Sequence, residues 1–285
     1  MHLQELDTSV RYQARVYQTL RLTPDRCAEE VLELALDVAN GLRINVGQHV
    51  GVLAPGQKQF GQQHHLRLYT IADIPEPLAS GQTRIRLCVK RCWYLDPHSG
   101  ERYPGVASHY LCDLQPGDLL TLTGPYGQAF EVPAEPDATL ILIGAGTGIA
   151  PFRAFVKYLY LHAPQFQGRI WLFHGARTGL EQIYRNDLQD DFAQFYDLET
   201  FQAISALSHR PHWSEAIDWH SPLHSRGESL WRLLTDAHTY VYLAGLEQIR
   251  DELDQVFNRL AGQADHWQRR KAELVAGGRW VELLY

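Results

Sequence analysis

The chain has 285 residues, 45% of them apolar and 21% charged, with a formal net charge of −7. This composition excludes a disordered or collagen-like chain, and the acidic balance argues against nucleic acid as a partner. No apolar stretch reaches the ~18 uninterrupted residues of a membrane helix, because glycines, a proline and an arginine break the best candidate, 138–155.

Short extended runs fill the first half, at 10–20, 31–36, 49–54, 66–71, 83–90 and 119–124. Gly41, Gly47, Pro55-Gly56, Pro75, Pro77, Pro116-Gly117 and Gly124-Pro125 punctuate them, which predicts an antiparallel barrel or sandwich. The texture changes after 133–136. Residues 139–144 (TLILIG) form a continuous apolar run of the kind buried on both faces of a parallel sheet. A helix is expected over 151–161, with Pro151 in its first turn, then a strand over 170–174 and a helix near 180–195. A strand near 200–206, a helix around 228–234, a strand at 239–244 and a helix at 246–260 follow. Alternating strand and helix predict a doubly wound α/β parallel sheet, with a domain boundary near residue 136. The N-terminus lacks the charged-then-apolar pattern of a secretion signal, so a cytoplasmic setting is expected. Cys27, Cys88, Cys92 and Cys112 form no Cys-x-x-Cys pair and fit neither a zinc site nor an iron–sulfur ligand run, so no metal is expected.

Two motifs carry chemistry. Gly144-Ala145-Gly146-Thr147-Gly148-Ile149-Ala150-Pro151 sits where a buried strand meets a helix, a place where backbone N–H groups can approach a phosphate. It departs from the Gly-x-Gly-x-x-Gly fingerprint, since the third glycine would fall at Ile149. No acidic residue closes the next strand to bind a ribose 2′-hydroxyl; Arg177 stands just beyond it. The second motif is Arg67-Leu68-Tyr69-Thr70. On an extended run Arg67 and Tyr69 share one face, offering a guanidinium for phosphate beside an aromatic for a ring, with a hydroxyl at the end.

The order and spacing of these motifs resemble the plant-type ferredoxin–NADP reductase family, which joins an FAD-binding antiparallel β-barrel to an NADP-binding α/β domain. Similar segments are Cys88-Val89-Lys90 with Tyr94, Gly105-Val106-Ala107-Ser108, Gly124-Pro125-Tyr126-Gly127, Leu172-Phe173-His174-Gly175, Ala244-Gly245-Leu246 and the terminal Tyr285. The resemblance implies an FAD barrel over 1–136 and an NAD(P)-binding domain over 137–285. It implies that Arg67 holds the FAD pyrophosphate, that Tyr69 packs against the isoalloxazine, that Thr70 hydrogen-bonds N5, and that Leu68 between them belongs to the cofactor site. Cys88, Val89, Lys90 and Tyr94 would flank the adenosine side, and Val106, Ala107 and Ser108 an FAD phosphate. Gly146, Thr147, Ala176, Arg177, Ser205, Gly245 and Leu246 would line the NADP groove, and Tyr285 would stack on the flavin.

The chain also departs from that pattern. Ala244 stands where the family has a cysteine, and Leu283 where it has an acidic residue, so either Glu282 takes that place as proton carrier after a small shift or the acidic group is absent. Ala206 follows Ser205 in place of the expected arginine, so Arg210 or Arg226 would supply the contact to a 2′-phosphate. The stretch 209–224 instead carries His209, His212, His220 and His224, with Pro222 between the last two.

The resemblance implies an FAD-dependent oxidoreductase moving electrons between NADPH and a one-electron carrier, ferredoxin or flavodoxin. Alternatives are the reductase component of an oxygenase with a separate iron–sulfur protein, and a non-catalytic flavin-binding regulatory subunit. Lys90, Arg91 and Arg102 are basic positions that could meet an acidic ferredoxin. A hydrolase is disfavoured, since no Gly-x-Ser-x-Gly nucleophile elbow occurs.

Overall fold

The computed structural model describes residues 3–56, 61–185, 192, 200–209 and 216–285. They divide into two compact units, Met1–Glu131 with Arg153–Tyr158, and Val132–Phe152 with Leu159–Tyr285.

The first unit contains β1 (Arg11–Arg21), β2 (Val31–Val38), β3 (His49–Pro55), β4 (His64–Thr70), β5 (Glu76–Pro77), β6 (Thr83–Lys90), β7 (Trp93–Leu95), β8 (Arg102–Pro104), α1 (Val106–Asp113) and β9 (Leu119–Tyr126). Seven strands form one antiparallel sheet in the order β4-β3-β9-β1-β2-β6-β5, and β7 pairs with β8 as a separate hairpin. The sheet is barrel-like without closing by a continuous ladder: beyond the end of β4, Ile71 makes a single bridge to Leu87 of β6. In β1, Ala14 and Val16 point inward between exposed neighbours, the period-two pattern of a half-buried strand. β2 breaks that rule, because Glu33 is buried among Leu32, Leu34 and Leu36. Its carboxylate accepts a 2.9 Å bond from Arg86 Nη1, which supplies the partner a buried charge requires. Leu34, Leu36, Val50, Val52, Ile85, Leu87 and Leu122 fill the interior, joined by Leu111 from α1, which packs on β3, β4 and β6.

The second unit contains β10 (Thr139–Ala145), α2 (Ala150–His162) apart from its Arg153–Tyr158 stretch, β11 (Arg169–Ala176), β12 (Phe201–Leu207), α3 (His220–His224), α4 (Gly227–Thr235), β13 (Thr239–Gly245), α5 (Gln248–Leu260), α6 (Ala264–Ala276) and β14 (Trp280–Leu284). Its strands are all parallel, in the order β12-β11-β10-β13-β14. The chain runs outward from β10 to β12 and then returns to the other side of β10 with β13. The strand order therefore reverses between β10 and β13, and a ligand crevice belongs at the C-terminal ends of these two strands. Phe173, Val241, Leu243, Phe257 and Trp267 lie in one apolar cluster beneath the helices.

The helix expected near 180–195 is not seen in the described part of that stretch. Gly179–Glu181 makes only a 3-10 turn, and 186–191 and 193–199 lie outside the described residues. The hairpin β7–β8, α1, α6 and β14 were not among the expected elements. Among the described residues no helix is long and apolar enough to cross a membrane.

Candidate functional site

In the first unit the chemistry gathers around β4 and α1. Arg67 is exposed on β4, its Nη1 donating to the neighbouring Leu66 carbonyl at 3.1 Å. Tyr69 packs against the barrel core, and burial near the Cys92 and Cys112 thiols pushes its phenol up. α1 begins without a side-chain cap and without an acidic residue in its first turn. Ser108 is buried, and its hydroxyl donates to the Gly105 carbonyl at 3.2 Å and accepts from the Cys92 N–H at 3.2 Å. The hydroxyl therefore shapes the turn, while the first-turn N–H groups of Val106, Ala107 and Ser108 have no helical acceptor of their own. A Cβ at Gly105 would lie 2.8 Å from Ser108 Oγ and 3.0 Å from the Cys92 carbonyl, so only glycine lets the chain pass this close. A guanidinium and an uncapped helix start, on elements packed against each other, are the donor set a diphosphate needs. The residues present fit the pyrophosphate of FAD.

The remaining first-unit positions differ in what they can offer. Cys88 and Val89 are buried, so only their backbone can face a ligand. Lys90 Nζ pairs with Glu29 at 2.9 Å, and Arg91 binds Glu30 and Asp113. These two basic residues are thus matched by acids rather than forming an uncompensated patch. Leu68 is half-buried and Tyr94 stands exposed on β7. Thr70 ends β4, with its hydroxyl 2.7 Å from His49 Nδ1 on β3. Sequence reading gave His49 no role.

In the second unit, residues far apart in sequence meet where the strand order reverses. β10 ends at Ala145, Gly146 turns with φ +55°, and a 3-10 turn leads into α2. A Cβ at Gly148 would fall 2.5 Å from the Ala244 carbonyl, so glycine is what allows this turn to lie against β13. Gly245 also has a positive φ, +143°. Its carbonyl accepts the Tyr285 N–H at 3.1 Å, and the Tyr285 hydroxyl lies 2.7 Å from Thr147 Oγ1. Gly146, Thr147, Gly245 and Tyr285 therefore form one group, with Leu246 exposed beside it. Ala176 is buried at the end of β11 and Arg177 follows it. Glu282 lies on β14 with both carboxylate oxygens committed. Arg250 donates to one through Nε and Nη2, each at 2.8 Å, and the Trp280 indole donates to the other at 2.7 Å. That arrangement anchors the last strand and leaves the carboxylate tied as an ion pair.

Beside β11 and β12 lies a cleft of about 430 Å³ whose lining includes His174, Arg185, Gln202, Ser205 and Arg226. Gln182 organises it. Its amide donates to the His174 carbonyl at 3.0 Å, and its oxygen accepts from Arg185 Nη1 at 2.7 Å and from Ser205 Oγ at 3.3 Å. Ser205 and Arg226 thus line one cleft. Arg185 is added to them from a segment read as helix, and Arg210 lies outside the described residues. His174 is 3% exposed, its Nε2 meets no hydrogen-bond partner, and burial pushes its pKa down to about 3. His220 and His224 stack their rings 5.0 Å apart, and His209 pairs with Asp218 at 2.7 Å.

Residues 26–130 match the family described as the oxidoreductase FAD-binding domain, and residues 142–255 the oxidoreductase NAD-binding domain. The chain is 32% identical over 257 residues to a ferredoxin–NADP reductase of Spirulina sp., covering 88% of this chain and 87% of that one. It is 30% identical over 280 residues to the chloroplastic leaf isozyme 1 of Arabidopsis thaliana, covering 96% and 77%. A Synechocystis relative of the same name is 31% identical over 276 residues, covering 94% of this chain and 66% of that one. The solved structure of ferredoxin–NADP+ reductase from Plasmodium falciparum superposes with a TM-score of 0.72 at 17% identity, covering 99% and 98% of the two chains, a likeness of fold.

Proposed function

The chain belongs to the ferredoxin–NADP reductase family, and from that premise we propose that it moves electrons between NADPH and a one-electron carrier, with FAD as the resident cofactor. The observation that carries this reading is the donor set of the first unit, an exposed Arg67 on the strand against which the uncapped α1 packs. Bound FAD supplies the chemistry that takes up a hydride and gives out single electrons. The chain's own residues bind, orient and exclude water. Arg67 and the first-turn N–H groups of α1 hold the diphosphate, with Lys90 and Tyr94 on the adenosine side. Leu68 and Tyr69 flank the ring system, and Thr70 presents its hydroxyl at N5. In the second unit, Gly146 and Thr147 receive the nicotinamide half of the nucleotide, and Ala176, Arg177, Gly245 and Leu246 line its path.

Ser205, Arg226 and Arg185 form the 2′-phosphate end of that path. A bidentate guanidinium is the natural partner of a dianionic phosphate, and here the cations come from outside β12 because Ala206 offers none. NADPH is therefore preferred over NADH by a moderate margin. Ferredoxin is the carrier that the relatives' names point to, with flavodoxin as the second candidate. The four cysteines are free thiols, which suits a reducing, cytoplasmic setting. Glu282 serves as the charge partner of Arg250.

The test is anaerobic. Purified yellow protein should be bleached by NADPH faster than by NADH and should then reduce ferredoxin or flavodoxin. Protein that binds FAD but is not bleached would support a regulatory flavin-binding subunit. Faster bleaching by NADH would support the oxygenase-reductase reading.

A further inference from the structure

A hydride taken from NADPH and passed on as two single electrons leaves one proton to be discharged. Glu282, the carboxylate that sequence pointed to for this task, is tied to Arg250 and Trp280. The group in contact with the Thr70 hydroxyl is an imidazole instead. His49 and Thr70 face each other across β3 and β4, and His49 Nδ1 lies 2.7 Å from Thr70 Oγ1.

The surroundings of His49 are built to keep the ring in place. It is half-buried, and a Cβ at Gly127 would fall 2.8 Å from its Cδ2 and 3.1 Å from its Nε2. Only glycine at 127, with φ +76°, leaves room for the imidazole there. From β9, Tyr126 pairs with His49 in register, but its hydroxyl bonds to the Asp7 carbonyl and Thr123 Oγ1. The adjacent Gln48 side chain donates to the Gly127 carbonyl. Among the described residues, Thr70 is therefore the polar side chain that His49 meets. Burial holds the imidazole below the usual histidine range, so the ring is neutral near pH 7 and Nδ1 can accept.

Resting on the reading that the Thr70 hydroxyl faces N5, we propose that His49 positions this hydroxyl and takes up the proton it relays. When a proton reaches Thr70 Oγ1 from the ligand side, a new O–H bond forms there. The original hydroxyl proton moves to His49 Nδ1, giving an imidazolium that releases a proton to water. One proton enters the pair and one leaves, with no change in electron count. The arrangement runs equally well in reverse. It needs the tautomer with hydrogen on Nε2, so that the hydroxyl donates to Nδ1 at rest.

The competing account is an ordinary cross-strand hydrogen bond that only steadies the sheet. Two measurements separate them. The first is 15N NMR of the imidazole in the oxidised holoenzyme, which needs no turnover. The proposal expects an unprotonated Nδ1 whose shift moves in Thr70→Val, and a protonated Nδ1 would overturn it. The second uses holoenzyme carrying His49→Gln, Thr70→Val or both, with the two half-reactions timed across pH 5–9. Removing the proton acceptor should slow discharge to ferricyanide about 10- to 100-fold more than reduction by NADPH, and should abolish the histidine limb of the pH profile. In the Thr70→Val background, His49→Gln should add little, because the relay is already cut. A His49→Gln enzyme with the wild-type pH profile and the same ratio of half-reaction rates would overturn the proposal while leaving the assigned activity intact. Wild-type protein that NADPH fails to reduce would overturn the activity and this proposal together.

Discussion

Acid should weaken the second unit through a single imidazole. His174 lies on β11 with 3% of its surface exposed and no partner for Nε2. Burial first, and the nearby Arg185 second, lower its pKa from 6.5 to about 3. In the unfolded chain the same ring titrates at its ordinary value. Above pH 6.5 neither state binds the proton, and the stability associated with the neutral buried ring is fully present. Below pH 6.5 the unfolded chain takes up a proton that the folded one refuses, so stability falls by ~1.4 kcal/mol per pH unit until about pH 3. Between pH 7 and pH 5 the loss from this one group is therefore about 2 kcal/mol. Urea unfolding followed by tryptophan fluorescence reads it, since Trp171, Trp219, Trp231, Trp267 and Trp280 all lie in the second unit. Wild type and His174→Phe should be compared at both pH values, and the difference in unfolding free energy should shift toward the variant by about 2 kcal/mol at pH 5. The other histidines cancel in that difference. A difference that does not change with pH would refute the reasoning.

Arg67→Ala removes a charge-assisted contact to the diphosphate worth about 1.5–3 kcal/mol, so FAD retention should fall about 10- to 150-fold in equilibrium dialysis; full occupancy would remove Arg67 from the site. Arg226→Ala and Arg185→Ala should each narrow the ratio of kcat/KM for NADPH over NADH and weaken 2′-AMP while leaving 5′-AMP alone. Equal loss of both mononucleotides would place these arginines elsewhere on the nucleotide. Tyr285→Ser breaks the bond to Thr147 and clears the glycine turn, so nicotinamide nucleotides should bind more tightly and leave more slowly in stopped-flow. Unaltered affinity would mean that the terminal ring does not compete for that place. Arg250→Ala strands the Glu282 carboxylate and should loosen β14, seen as faster amide exchange over 280–284; unchanged protection would show that the ion pair contributes nothing there.

Much of this was legible because local chemistry and tertiary role coincide. TLILIG reads as a buried parallel strand, and β10 is one, since every position through Gly144 is buried. Arg67-Leu68-Tyr69-Thr70 reads as an extended segment and lies on β4, although its burial does not alternate: Arg67 is exposed and the next three residues are half-buried. The second site was legible in part: Thr147, Gly245 and Tyr285 were each singled out, but only the reversal of strand order brings them together. Other features were hidden for physical reasons. α1 has eight residues, no side-chain cap and a glycine before it, so no start signal announces it. α6 is mostly polar, and its burial depends on Trp267 and Leu274 meeting a core assembled from distant strands. His49 is one residue in a strand, and its importance appears only when β3 and β4 are set in register. Gln182 and Arg185 fell in a stretch read as helix, where a glutamine tying a serine on another strand to an arginine cannot be foreseen.

The two ends of the large sheet are treated differently. β5 closes one edge with two residues, the second of them Pro77, which is too short and too poor in donors to recruit another strand. At the other edge β4 runs for seven residues without a proline and has a ladder neighbour on one side, β3. Such an edge invites pairing with another chain unless something lies along it, and the segment that would bind the flavin is this strand. Flavin content and colloidal behaviour would then be a single property. Preparations depleted of FAD should associate through β4 and scatter light, and adding the flavin back should disperse them before any electron is transferred.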